Sequence, residues 1–203
     1  MRLTRTLATL AGTLTAACAI AVTAAPAQAA PEPSPTASTA PPSVERQVTV
    51  DEVLRLNPKA EKISDTEVKI ADGMILMLPR NASDSAALAA SCSYQYLCAW
   101  EHSGGGGNGI RFYTCGSYDL SGYHYPDGAW VGTGAAGAKW NDRFSSLNNN
   151  QTTGTRANFY NWEGSWKLVF WTYAPDWRAN LAIDKRYDNG GQLNDIIDRV
   201  VPC

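Results

Sequence analysis

Apolar residues along this chain fall in short runs separated by Gly- and Asn-rich breaks. Residues 97–100, 110–113, 157–160 and 168–171 each concentrate aliphatic or aromatic side chains over one strand length. No long helical period runs through this region, so the pattern predicts a mostly antiparallel β domain. Upstream, Asp51 is placed to cap a short helix carrying Val53, Leu54 and Leu56, which stops before Pro58. Residues 67–70 and 74–78 then flank Ala71-Asp72-Gly73, and Asp-Gly between two apolar runs signals a hairpin. The later half of the pattern faintly repeats the earlier one. Ala99-Trp100-Glu101 aligns with Phe159-Tyr160-Asn161, Asp119-Leu120 with Asn180-Leu181, and Asn141-Asp142 with Asn194-Asp195. Two four-strand units packed face to face are the expected architecture.

Composition divides the chain. Residues 1–29 carry Arg2 and Arg5, then an uncharged stretch and Ala27-Gln28-Ala29, the form of a signal peptide cleaved on export. Residues 30–47 are a Pro/Ala/Ser/Thr-rich linker, and residues 80–91 are a second linker rich in Ala and Ser. The helix-plus-hairpin module of 48–79 is too small to bury a large core alone. It is either a cap on the main domain or a pro-segment. All 20 Trp, Tyr and Phe residues lie between Tyr94 and Tyr187, so residues 92–203 form the globular domain. Without Arg2 and Arg5 the chain has 15 basic against 19 acidic residues, a net charge of −4. That sign provides no footprint for nucleic acid or, after signal cleavage, for an anionic membrane.

Four cysteines remain beyond the signal: Cys92, Cys98, Cys115 and Cys203. An even count in an exported chain points to disulfides. Three pairings are possible on paper. The short spacing favours a local Cys92–Cys98 ring, which leaves Cys115 for the last residue, Cys203. Zinc is the weaker reading, since there is no C-x-x-C pair and His102 and His124 stand apart from the cysteines.

The run Cys98-Ala-Trp-Glu, a Gly-rich turn, Gly109-Ile-Arg-Phe-Tyr and then Trp140-Asn-Asp-Arg-Phe-Ser-Ser-Leu resembles a βγ-crystallin-type double Greek key. With its cysteine pattern, the stretch from Cys92 onward resembles small secreted bacterial peptidase inhibitors of that fold. The resemblance implies an all-β, βγ-crystallin-like sandwich, no enzymatic activity, and a secreted protease, typically a metalloproteinase, as partner. It also implies a target loop in the C-terminal half, bracketed in such inhibitors by a second local cysteine pair. Here the comparable place reads Tyr173, Ala174, Pro175, Asp176 and Trp177 with no bracket.

Asn141-Asp142-Arg143-Phe144-Ser145-Ser146 matches the calcium pattern that the resemblance carries. Calcium takes six to eight oxygen ligands, so a second arc must cooperate. Asn194, Asp195 and Asp198 supply it, joining Asn141, Asp142 and Ser145 as candidate ligands. Arg199 stands where a second Ser is expected, placed to repel the ion or neutralise Asp198. The same segment also reads as a short helix, with Leu193, Ile196, Ile197, Val200 and Val201 at helical spacing. Most Trp residues are expected in the core. At least one of Trp162, Trp166 and Trp177 is expected at the surface, where rings stack on sugars or anchor a protein. A polysaccharide- or cell-wall-binding module is thus the alternative to an inhibitor, and a calcium-stabilised envelope protein is a third. Gly104 to Gly107 lacks the Lys and context of a phosphate loop, and neither G-x-S-x-G nor H-E-x-x-H occurs. Carboxylates from distant segments leave a glycosidase open.

Overall fold

The computed structural model describes residues 48–79, 92–124 and 139–203. The expected signal peptide (1–29), the two expected linkers (30–47 and 80–91) and Trp130 lie outside the described residues. The described residues belong to one compact unit spanning 43–203.

The short helix α1 (Val50–Leu56) begins one turn-boundary earlier than expected. Thr49, rather than Asp51, is its cap: the Thr49 side chain accepts from the Glu52 N–H while the Glu52 carboxylate accepts from Thr49. Asp51 instead sits in the first turn, where a negative charge suits the helix dipole. Strands β1 (Glu61–Lys62), β2 (Glu67–Ala71) and β3 (Met74–Met77) follow. Gly73 makes the β2–β3 turn possible, with φ +84° and the Tyr118 hydroxyl where a side chain would stand.

The larger domain supplies β4 (Tyr96–His102), β5 (Gly106–Phe112), β6 (Tyr118–Asp119), β7 (Ser146–Asn150), β8 (Arg156–Trp162), β9 (Trp166–Tyr173), β10 (Asp176–Arg178) and β11 (Arg199–Val201). They form two antiparallel sheets, ordered β1-β2-β3-β5-β4-β7-β10 and β6-β11-β8-β9. The protein is all-β with one short helix among the described residues. Residues 48–79 are joined to the main sheet through the β3–β5 ladder, which pairs Leu76 with Ile110. Val53, Val68, Leu76, Leu97, Phe112, Phe144, Phe159 and Phe170 share one buried core between the sheets and under α1.

Each half of the domain lends its third strand to the other. Strand β6, from the first half, pairs with β11, while β10, from the second, pairs with β7. The main-chain bonds repeat as well. Ser145 N–H donates to the Trp100 carbonyl and Asp198 N–H to the Tyr160 carbonyl; Leu181 N–H donates to Ser145 and Leu120 N–H to Asp198. The faint sequence repeat is therefore a repeat in three dimensions.

Strand β4 is central, so both its faces are covered. Leu97 and Ala99 enter the main core, whereas Cys98 and Trp100 point to the opposite face and pack with Met77 and Cys92. Gly109 lies across from Trp100, and a Cβ there would fall 2.5 Å from the indole. Both disulfides are present, Cys92–Cys98 and Cys115–Cys203. The segment 193–201 is not helical. Ile197 and Val200 reach the core from a turn and from β11, because a strand there completes the second sheet between β6 and β8.

Candidate functional site

Residues 173–177 link β9 to β10 at the edge of the seven-stranded sheet. Tyr173 and Trp177 are 54% and 42% exposed, Pro175 is exposed between them, and Ala174 is buried. The Ala174–Pro175 peptide is cis. The segment is tied down on both sides. Ala174 N–H donates to the Thr155 carbonyl (2.9 Å), and its own carbonyl accepts from Gly154 N–H (2.8 Å). The Asp176 carboxylate accepts from the Thr172 hydroxyl and from Arg178 Nε (2.8 Å). Arg178 also reaches Asp184 (3.2 Å) and lies over the Phe170 ring. Trp177 rests edge-on against buried Trp100, with centroids 5.6 Å apart and planes at 83°. Hydrogen bonds and one ring contact thus brace the segment, which has no cysteine bracket of its own. Thr172, Arg178 and Trp100 were missed as parts of this site. A Thr-x-x-x-Asp-x-Arg spacing is the only local sign of them.

The Cys92–Cys98 ring opens onto the same face. Cross-strand register aligns Cys98 with Asn148 and Asn148 with Trp177, so these three side chains share one side of the sheet, about 5 Å apart per strand. The ring turns at Gln95 (φ +78°), whose N–H donates to Asn150, and exposes Tyr94. Asn150 Nδ2 donates to the Cys92 carbonyl (2.8 Å).

The two Asn-Asp arcs face one another elsewhere, where the halves meet. Asp142 and Asp195 both have left-handed backbones, with φ +58° and +54°. Asp142 N–H donates to Ile197, and Asp195 N–H donates to Phe144. Ser145 Oγ donates to Asp195 Oδ1 (3.3 Å), while Asn141 and Asn194 each donate to the following aspartate. Burial, the nearby Asp198 carboxylate and, more weakly, Asp195 push the Asp142 carboxyl up to about 6. Asp195 is also raised, mainly by burial. Asp198 is 7% exposed; its Oδ2 accepts from Trp162 N–H (2.7 Å), and beyond the Asp142 carboxyl that Asp198 faces its buried Oδ1 meets no donor. Arg199 stacks on Trp166 at 3.5 Å and approaches Asp119 at 4.0 Å. Among the described residues, no three His, Cys, Asp or Glu side chains group around one point as a metal site would require.

Residues 85–169 match the family model described as peptidase inhibitor family I36. The match covers less than half of the chain; it supports a peptidase inhibitor rather than an enzyme, with a protease as partner, the coarse reading that the sequence suggested. The match takes in the disulfide ring, and it ends before Tyr173. Neither the curated proteins nor the solved structures contain a match to the chain. No helix among the described residues is long and apolar enough to cross a membrane.

Proposed function

We propose that the protein is a secreted inhibitor that presents residues 173–177 to a protease cleft. The observation that carries this reading is the contrast within the segment: Tyr173, Pro175 and Trp177 project, while Ala174 and Asp176 are fastened beneath them. A segment already fixed in shape loses little ordering entropy on binding, so its exposed side chains translate into affinity. Tyr94, on the ring that opens to the same face, extends the contact surface. The signal-like segment 1–29 and the two disulfides support secretion. We read the exchanged third strands as the double Greek key of the βγ-crystallin type.

The test titrates the purified protein against thermolysin-like, subtilisin-like and trypsin-like enzymes. At least one should be inhibited at micromolar protein, and Trp177→Ala should weaken that inhibition by about ten-fold or more. Full inhibition by the Trp177→Ala and Tyr173→Ala variants would move the contact away from this loop.

We infer a subordinate role for calcium. Asp142 and Asp198 would hold the ion, with Asn141, Ser145, Asn194 and Asp195 around them. It would supply positive charge between crowded carboxylates and stabilise the seam between the halves.

A further inference from the structure

A cleft of about 560 Å³ opens beside that seam, away from the proposed inhibitory loop. Its volume lies in the range of small-ligand sites. Trp162 and Trp166 form one wall as an edge-to-face pair, with centroids 5.0 Å apart, and Trp162 is 53% exposed. The hairpin β8–β9 holds both rings, and Trp162 pairs directly with Trp166 in its register. The remaining lining is polar: three carboxylates, Asp119, Asp142 and Asp198, with Arg199 and the neutral Ser121, Asn141 and Asn161.

We propose that this cleft binds an amino sugar with a free ammonium group. Three carboxylates against one guanidinium disfavour an anion. Arg199 lies on the face of Trp166 and its ion-pair partner is Asp119, which leaves Asp142 and Asp198 as the two lining carboxylates without an ion pair among the described residues. Asp198 Oδ1 is buried and, apart from the Asp142 carboxyl that Asp198 faces, meets no donor, an arrangement that a ligand N–H⁺ relieves. Arg199 Nε is likewise buried and unpartnered, which suits a sugar hydroxyl as acceptor. Exposed Trp162 provides a flat apolar face of the kind on which a pyranose ring stacks. A neutral sugar satisfies the ring and the hydroxyl contacts and leaves the carboxylates unanswered. A lysine side chain satisfies the carboxylates and leaves most of the wide aromatic wall bare. An amino sugar meets all three demands.

Calcium and an ammonium group are alternative occupants of the carboxylate pair, so the test is run with chelator present. The purified protein is titrated with a glucosamine oligomer, its N-acetylated counterpart, a glucose oligomer of equal length and a lysine-rich peptide, with calorimetry and tryptophan fluorescence as readouts. The glucosamine oligomer should bind about ten-fold or more tightly than each of the others. Trp162→Ala should weaken that binding by about ten-fold and leave protease inhibition unchanged. Asp198→Asn should erase the preference over the N-acetylated oligomer. Trp162→Ala keeps the test decisive if Asp198→Asn does not fold, because the Trp162 main-chain N–H that Asp198 accepts from is retained. Equal binding of all oligomers, tighter binding of the peptide, or an unaffected Trp162→Ala variant would overturn the proposal.

Discussion

Asp142 carries a cost that its neighbours create. Its carboxyl is half-buried, faces Asp198, and is raised to about 6 against the support of Asn141. An acid whose folded value lies above its unfolded one favours the fold in its neutral form. That contribution is full below the ordinary carboxylate range and is lost as pH rises through about 6. Asp195 acts in the same direction. Asp142→Asn should therefore melt higher than the wild type near neutral pH in chelator, and the two should converge near pH 4. Asn also tolerates the left-handed backbone at this position. Millimolar calcium should raise the wild-type melting temperature at neutral pH and leave Asp142→Asn unmoved. Melting curves across pH decide both points, and a variant less stable than wild type at neutral pH would contradict the first. The Asn-Asp-x-x-Ser spacing made Asp142 visible in the sequence. Its approach to Asp198, 56 positions away, was expected only as the cooperation of two arcs; the crowding of the two carboxylates exists only once the second arc folds across the first. The stacking of Arg199 on Trp166 was not legible for a related reason: the two residues lie on strands distant in sequence.

Strands show the same division between local and distant information. The Asp72-Gly73 turn and the alternation of β2 announced the hairpin, and β4, β5, β8 and β9 were each found within a few residues of their ends. That the hairpin adds to the main sheet was not legible, since Leu76 meets Ile110 only across a linker. Apolar spacing over residues 193–201 suggested a helix because a core-facing turn followed by a short strand can mimic a 3.6-residue period. The β3–β5 ladder makes residues 48–79 part of the sheet, so residues 92–203 alone should expose the outer edge of β5 and aggregate or unfold non-cooperatively. Leu76→Ala, at a fully buried position, should cost about 2–5 kcal/mol in urea unfolding of the whole chain. A cooperative, soluble 92–203 fragment with the stability of the parent would show that the hairpin is dispensable.

At the scale of the whole molecule, two similar halves are locked by exchanged strands, by mirrored main-chain bonds and by one long covalent tie. Cys115 follows β5 in the first half, and Cys203 follows β11 in the second, so their bridge closes a loop of separation 88. The Cys92–Cys98 bridge closes a loop of separation 6 and stiffens only the ring beside the proposed inhibitory face. Chain-entropy reasoning assigns about 4–5 kcal/mol to the long closure and about 2 kcal/mol to the short one, through restriction of the unfolded chain. The two bridges should thus separate stability from function. Replacing Cys115 and Cys203 with Ala should lower the denaturation midpoint more, and leave inhibition of a sensitive protease unchanged wherever the fold persists. Replacing Cys92 and Cys98 should cost less stability and weaken inhibition only to the extent that the ring touches the protease. Denaturant titration and inhibition assays on both double variants measure these effects together. A larger stability loss from the short bridge would mean that packing of Cys98 against Trp100, rather than loop closure, governs what these disulfides contribute.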